Sequence, residues 1–278
     1  MKNLLTRTVS GIVFIGIMAG CLLNGAIPYT FLMVLLMTGM LLEFYTLTLG
    51  KGKWLQKING MTLGIALWCM MFLPSCMPAA PTLPVVLAAM TLLLAGLFIQ
   101  QLYRKDEKTF ATVAYVLLGL IYIALPLSVI NVAFLHDVSG KLLLSLFIIL
   151  WSNDVGAYVF GMLFGQDGKH KLAPSISPKK SWEGFAGGVL AALGAGCLLS
   201  SLGWVTYGLP HTLVIALLIA VFGVFGDLVE SKLKRSVEVK DSGKLIPGHG
   251  GLLDRFDAAL MALPVACLYI FIVHVLLN

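Results

Sequence analysis

Between Ser231 and Asp257 the chain gathers the residue types that handle phosphate. Six cations (Lys232, Lys234, Arg235, Lys240, Lys244, Arg255) and four acids (Glu238, Asp241, Asp254, Asp257) fall in this stretch, in a sequence that is only 12% charged. Lys and Arg neutralise the charge on a reacting phosphoryl group, and carboxylates hold the divalent cation that bridges its oxygens. Mg²⁺ takes a few carboxylates together with water and substrate phosphate, which suits Asp227, Asp254 and Asp257. No His or Cys constellation suits zinc. The run Pro247-Gly248-His249-Gly250-Gly251 cannot be regular helix, and its glycines supply a loop able to bring backbone amides close to a ligand. A helix beginning near Leu252 or Leu253 carries Asp254 and Asp257 on one face.

Three more clusters belong with this stretch. If the preceding helix continues through Gly226 to Arg235, then Asp227, Glu230, Ser231 and Lys234 share a face. That spacing fits a salt-bridged helix surface as well as a site; the emergence of Asp227 directly from apolar Val221 to Phe225 favours a site. Trp151-Ser152-Asn153-Asp154 interrupts an apolar segment and must point into protein or water. Gly156, Gly161 and Gly165 follow it, and small residues let a neighbouring helix approach. Ser177-Pro178 is a turn signal, and Ser181 with Gly184 can open a helix. Lys179 and Lys180 at that entrance are a topogenic flank or, with helix-end amides, a phosphate site; the second is the favoured reading.

The spacing resembles the signature of the phosphatidate cytidylyltransferase family, the CDP-diacylglycerol synthases. Its fixed positions are filled by Ser231, Lys234, Arg235, Lys240, Asp241, Pro247, His249, Gly250, Gly251, Asp254, Arg255 and Asp257. Asn153, Asp154, Pro178, Lys179, Lys180 and Glu183 look like a second region of that family. The resemblance covers most of the C-terminal half, and the N-terminal half supports it through hydropathy alone. It implies that CTP and phosphatidate give CDP-diacylglycerol and pyrophosphate. The lipid phosphate is already an anion, so positioning and charge neutralisation should dominate over general-base catalysis.

The resemblance implies Asp227, Asp254 and Lys234 as catalytic residues, with Asp227, Asp254 and Asp257 holding Mg²⁺ and room for a second cation. It implies Asn153, Asp154, Lys179, Lys180, Ser231, Arg235, Lys240, Asp241, His249, Gly250, Gly251 and Arg255 as substrate-binding. His249 either meets a phosphate or steadies the loop. The partners are CTP, phosphatidate and membrane lipid, with no nucleic acid and with a homodimer among the allowed assemblies. An ion-coupled transporter would also bury Asp154 and Asp227, but has no need of cations around a glycine loop. A phosphodiester-forming transferase acting on CDP-diacylglycerol would show an Asp-rich motif that is not visible here.

These residues must be held by a membrane scaffold. Hydrophobic residues make up 59% of the chain and mean hydropathy is +0.96, far from globular usage. The expected fold is all-α and polytopic. Spans of about 17 to 25 residues fall near 7–24, 28–49, 60–77, 83–102, 110–134, 142–164, 184–204, 210–230 and 256–277, which makes nine. The whole chain is expected to form one integral membrane domain, with residues 1–135 as helical scaffold and 142–278 as the catalytic half carrying cytoplasmic loops 165–183 and 231–255. The first span follows Lys2 and Arg7, and is expected to be retained rather than cleaved as a signal. Glu43 is the one buried-looking acid of the N-terminal half, a functional candidate as an intramembrane ionisable residue; beside Lys51 and Lys53 a snorkelling or ion-paired Glu is the favoured reading. The five Cys lie in or beside apolar spans with no CxxC pair and are expected to be small buried hydrophobes.

Cytoplasmic loops carry the excess of Lys and Arg, which also accounts for the net charge of +6. With the N-terminus inside and nine spans, every one of the 19 Lys and Arg except Lys141 falls on the cytoplasmic side. The expected location is therefore the cell inner membrane, with the C-terminus outside and the Ser231–Asp257 stretch facing the cytoplasm. Cysteine labelling from outside intact cells should reach a Cys placed near Lys141 or at Asn278 and should miss one near Lys244. Labelling at Lys244 would overturn this orientation.

Overall fold

A computed structural model describes residues 2–50, 52–76, 83–103, 109–165, 170–239, 241–243 and 250–277. They form α1 (Lys2–Leu23), α2 (Ala26–Leu49), α3 (Trp54–Cys76), α4 (Leu83–Leu102), α5 (Thr109–Gly119), a π-helical turn (Leu120–Ala124), α6 (Leu125–His136), α7 (Lys141–Phe164), strands β1 (Lys171–Ala173) and β2 (Ser177–Ser181), α8 (Trp182–Ser201), α9 (Gly208–Ser236) and α10 (Leu253–Leu277). The protein is an all-α polytopic membrane protein, with one short antiparallel hairpin among the described residues. Among the described residues, the apolar segments anticipated from the sequence are largely helical, with 110–134 divided among α5, the π-helical turn and α6 and with α8 ending at Ser201. Among the described residues, six helical stretches are long and apolar enough to cross a membrane: Ala26–Leu49, Phe110–His136, Lys141–Phe164, Trp182–Ser201, Gly208–Ser236 and Leu253–Leu276.

The chain divides into two compact units. One comprises residues 1–21, 26–131 and 241–254; the other comprises 22–25, 132–240 and 255–278. The segment 241–254 thus groups with the N-terminal helices. In that first unit, Tyr29, Trp68 and Phe72 form an aromatic cluster, with Trp68 and Phe72 stacked at 4.6 Å. Tyr45 donates to the Val116 carbonyl at 3.0 Å, tying α2 to α5. Lys53 and Lys57 donate to Thr112 and Thr46, at 2.9 and 3.1 Å.

In the second unit, α7 and α8 lie together along a seam of small residues. A Cβ on Gly156 would meet Ala191 Cβ and the Gly187 carbonyl, and one on Gly161 would sit 3.7 Å from Gly184 Cα. Without a hydrophobic force between helices in lipid, such close van der Waals contact supplies the attraction. The hairpin feeds α8 directly. Trp182 N–H donates to the His170 carbonyl at 3.0 Å, and Ser181 caps the helix by accepting from Gly184 N–H at 3.1 Å, the Ser181–Gly184 start expected from the sequence.

α9 meets α10 at a second glycine. A Cβ on Gly226 would fall 2.9 Å from Ala258 Cα and closer still to the Asp257 carbonyl. The next residue, Asp227, is thereby held beside Asp257. Gly226→Ala must push the two backbones apart, and overpacking of this kind costs about 1–3 kcal/mol. We expect the variant to unfold at lower temperature in detergent and to lose turnover beyond its loss of folded protein. A wild-type melting curve and rate would contradict this contact.

Candidate active site

Four acids of the second unit come from three helices. Asp154 stands on α7, Asp227 and Glu230 on α9, and Asp257 on α10. The carboxylates of Asp154 and Asp257 both interact electrostatically with Asp227, and Asp257 also with Asp154. Lys180, the last-but-one residue of β2, places its Nζ 2.6 Å from Asp227 Oδ2. Ser231, one helical turn after Asp227, donates to Asp227 Oδ1 at 3.2 Å. Side chains alternate across a strand, and so Lys180 turns inward while Lys179 is exposed.

Asn153 is 2% exposed. It hydrogen-bonds the Asp154 carboxylate, while its own Oδ1 has no hydrogen-bond partner. Among the described residues no three His, Cys, Asp or Glu side chains have closed into a metal-ligating group. The donor set is nonetheless of the class a hard cation takes: carboxylates, an uncommitted amide oxygen and no soft ligand.

The other cations are partly committed. Lys234 Nζ lies 2.6 Å from Glu230 Oε2, and Glu230 is fully buried. Lys234 also interacts with Asp257, and Arg255 with Asp154. Arg235 donates through Nε to the Ile176 carbonyl at 3.1 Å, which binds the hairpin turn to the end of α9. His170 and Glu183 pair at 2.7 Å across the same hairpin. α9 runs unbroken to Ser236, so Asp227, Glu230, Ser231 and Lys234 do share one face.

The glycine motif belongs to the first unit. Gly250 has φ +83°, and Gly251 is buried. Asp254 accepts from Gly251 N–H at 2.8 Å and from Ser242 N–H at 3.0 and 3.2 Å. Its own N–H donates to Ser242 Oγ at 3.3 Å. Glu43 accepts from Leu252 N–H and Leu253 N–H, both at 2.9 Å. The Glu43 carboxylate goes to backbone amides 209 and 210 residues away, while Lys53 donates to Thr112 and Lys51 lies outside the described residues. A lone acid in an apolar helix was the available signal, but its partner was not readable because it lies so far along the chain. Asp241 is exposed. Lys240 and His249, with Lys244, Pro247 and Gly248, lie outside the described residues.

Residues 5–273 match the model of the Cytidylyltransferase family. The chain is 34% identical over 269 residues to the phosphatidate cytidylyltransferase of Bacillus subtilis, covering 95% of this chain and 94% of the relative. It is 38% identical over 164 residues to the phosphatidate cytidylyltransferase of Staphylococcus saprophyticus and 39% identical over 166 residues to that of Staphylococcus aureus. Each of these two alignments covers 58% of this chain and 60% of the relative.

The Lys234–Glu230 pair yields a test. Breaking a buried pair by removing one partner costs about 3–5 kcal/mol, because the other charge stays buried uncompensated. Lys234→Met should therefore sharply lower the unfolding temperature, and adding Glu230→Gln should recover much of the loss in stability without recovering turnover. Equal melting of the single and double variants would remove the structural part of this role.

Proposed function

The chain belongs to the cytidylyltransferase family, and from that premise we propose that it transfers CMP from CTP to phosphatidate, giving CDP-diacylglycerol and pyrophosphate. The observation that carries the site assignment is the convergence of Asp154, Asp227 and Asp257 on three helices with Lys180 2.6 Å from Asp227. We assign Asp227, Asp254 and Asp257 to Mg²⁺, with Asp154 beside Asp227 and room for a second cation. A carboxylate offers about four lone-pair sites, so accepting the Ser242 and Gly251 amides leaves Asp254 capacity for a cation. When bound, Mg²⁺ supplies positive charge on the phosphate oxygens and orients them for in-line displacement.

The protein's own groups then have distinct parts. Lys180 is tethered beside the acids and half-buried, and its ammonium is placed to meet a phosphate as readily as a carboxylate. Lys179, Arg235, Lys240 and Arg255 take the remaining phosphate charge, and His249 meets a phosphate or steadies its loop. Asn153 and Ser231 orient the acids on either side. The attacking oxygen of phosphatidate carries its charge already, so no residue is assigned as general base. Catalysis rests on alignment of that oxygen with the α-phosphorus and on cationic groups that meet the charge developing there. We further propose nine spans, with the N-terminus and the site on the cytoplasmic side and the C-terminus outside, from the distribution of Lys and Arg.

The purified protein should release pyrophosphate from CTP only when phosphatidate is present. A chelator should abolish the reaction and added Mg²⁺ should restore it, and ATP or GTP should compete poorly with CTP. Pyrophosphate release unaffected by chelation would overturn the metal assignment, and equal competition by ATP would overturn the choice of nucleotide. Asp257→Asn should lower kcat by about a hundredfold or more, the scale of losing preorganised electrostatic stabilisation, in protein that still melts cooperatively.

A further inference from the structure

We infer that Glu43, a residue of α2 remote in sequence from the catalytic motif, is a positioning residue for the active site: it fixes the start of α10 and, through Ser242, the carboxylate of Asp254. This rests on the functional reading above.

The geometry is that of a helix cap supplied from another part of the chain. The first N–H groups of a helix have no intrahelical acceptor and carry the positive end of its dipole. Here Leu252 N–H donates to Glu43 Oε1 and Leu253 N–H to Glu43 Oε2, both at 2.9 Å. One carboxylate thus grips two successive amides with its two oxygens, which fixes both where α10 begins and how it is rotated. Ser242 Oγ donates to Glu43 Oε2 at 3.2 Å and accepts from Asp254 N–H at 3.3 Å. Ser242 N–H returns to the Asp254 carboxylate. A hydroxyl has one donor and two acceptor sites, so it can serve Glu43 and Asp254 together. Hydrogen bonds with a charged partner are about twice as strong as neutral ones, and with the Gly251 amide this set places six acceptor contacts on two carboxylates.

The glycines of the motif make room for that carboxylate. A Cβ on Gly251 would collide with Ser242 Oγ and Glu43 Oε2, and one on Gly243 would collide with the Glu43 carboxyl group. These two glycines therefore answer to Glu43. The amides of Gly251, Leu252, Leu253 and Asp254 are all spent inside the protein, and none of the four is left to cradle a phosphate. Glu43 has no such use if its role is to anchor a helix in the bilayer, for which Lys or Trp at the membrane interface would serve.

The test uses the full-length protein with Glu43→Gln, Ser242→Ala and the double variant. Gln keeps the shape but turns an amide donor toward one of the two N–H groups. Displacement of a reacting group by about 1 Å can cost about a hundredfold, so Glu43→Gln should lose between about tenfold and a hundredfold in kcat. The KM for CTP should move by less than about threefold, because an interaction felt in the transition state is lost rather than uniform binding. Hydrogen exchange in the peptide spanning residues 250–256 should quicken, with other helices unchanged. Ser242→Ala should act in the same direction, and the double variant should be no worse than Glu43→Gln, as expected of one network.

A Glu43→Gln protein with wild-type kcat, or one that loses only folded yield at unchanged rate per folded molecule, would overturn the proposal. If that variant does not fold, Ser242→Ala decides, and wild-type kcat there would overturn it as well. Absence of pyrophosphate release by the unmutated protein would refute the functional reading instead; unchanged exchange at residues 250–256 in Glu43→Gln would separately refute the anchoring.

Discussion

Mutual repulsion among carboxylates is the constraint on which the second unit depends. Asp154, Asp227, Asp257 and Glu230 come together with Lys180, Lys234 and Arg255 as the cations that interact with them. Asp154 and Asp227 keep access to solvent, but like charges this close still raise each other's free energy. Lys234 is further divided between Glu230 and Asp257. A helical bundle would shed such a cluster if it served packing alone, since a buried ionic group is often no better for stability than an apolar one of similar size. In the function proposed above, an added cation and its phosphate ligand would relieve that repulsion.

Small residues set how closely the helices that carry the acids approach their neighbours. Two of these acids lie next to a glycine contact: Gly156 of α7 against α8 two residues after Asp154, and Gly226 of α9 against the Asp257 carbonyl one residue before Asp227. A side chain at Gly226 would separate α9 from α10 and move Asp227 away from Asp257, and one at Gly156 would push α7 off α8, the helix that Lys180 leads into. Gly188 of α8 likewise gives space to Asn153, whose Oδ1 would lie 2.7 Å from an added Cβ. The tight helix contacts and the polar cluster are therefore one design, in which van der Waals attraction between close backbones offsets electrostatic repulsion between side chains.

Much of this was legible in the sequence because it is local. The helical face Asp227, Glu230, Ser231 and Lys234 follows from a period of 3.6, and Ser181 with Gly184 announces the start of α8 through ordinary capping chemistry. The apolar segments could be read as helices from length and hydropathy alone. What was not legible was pairing at long range. Nothing in the residues around Glu43 says that its acceptors serve Leu252 and Leu253, and the nearby Lys51 and Lys53 pointed elsewhere. Nor does the spacing of Lys234 from Glu230 reveal that Glu230 is fully buried, which changes an ordinary surface pair into a costly one. The β-hairpin escaped for a different reason: strands as short as Lys171–Ala173 and Ser177–Ser181 carry too few residues for alternation to be seen.

These long-range pairings alter how the phosphates must be recognised. A glycine loop leading into a helix suggests backbone amides as the phosphate ligands, and the same holds for the entrance of α8. Among the described residues, the amides of Gly251 to Asp254 at α10 are taken by Glu43, Asp254 and Ser242, and those of Gly184 and Trp182 at α8 by Ser181 and the His170 carbonyl. Under the functional reading proposed above, the side-chain cations would meet phosphate at these two helix starts. Amides capped from within form a rigid frame, whereas a Lys ammonium on a flexible stem can leave a carboxylate for a phosphate as charge develops. Lys180 is suited to that exchange, because Asp227 holds it in place at 2.6 Å while leaving it 23% exposed to an incoming ligand.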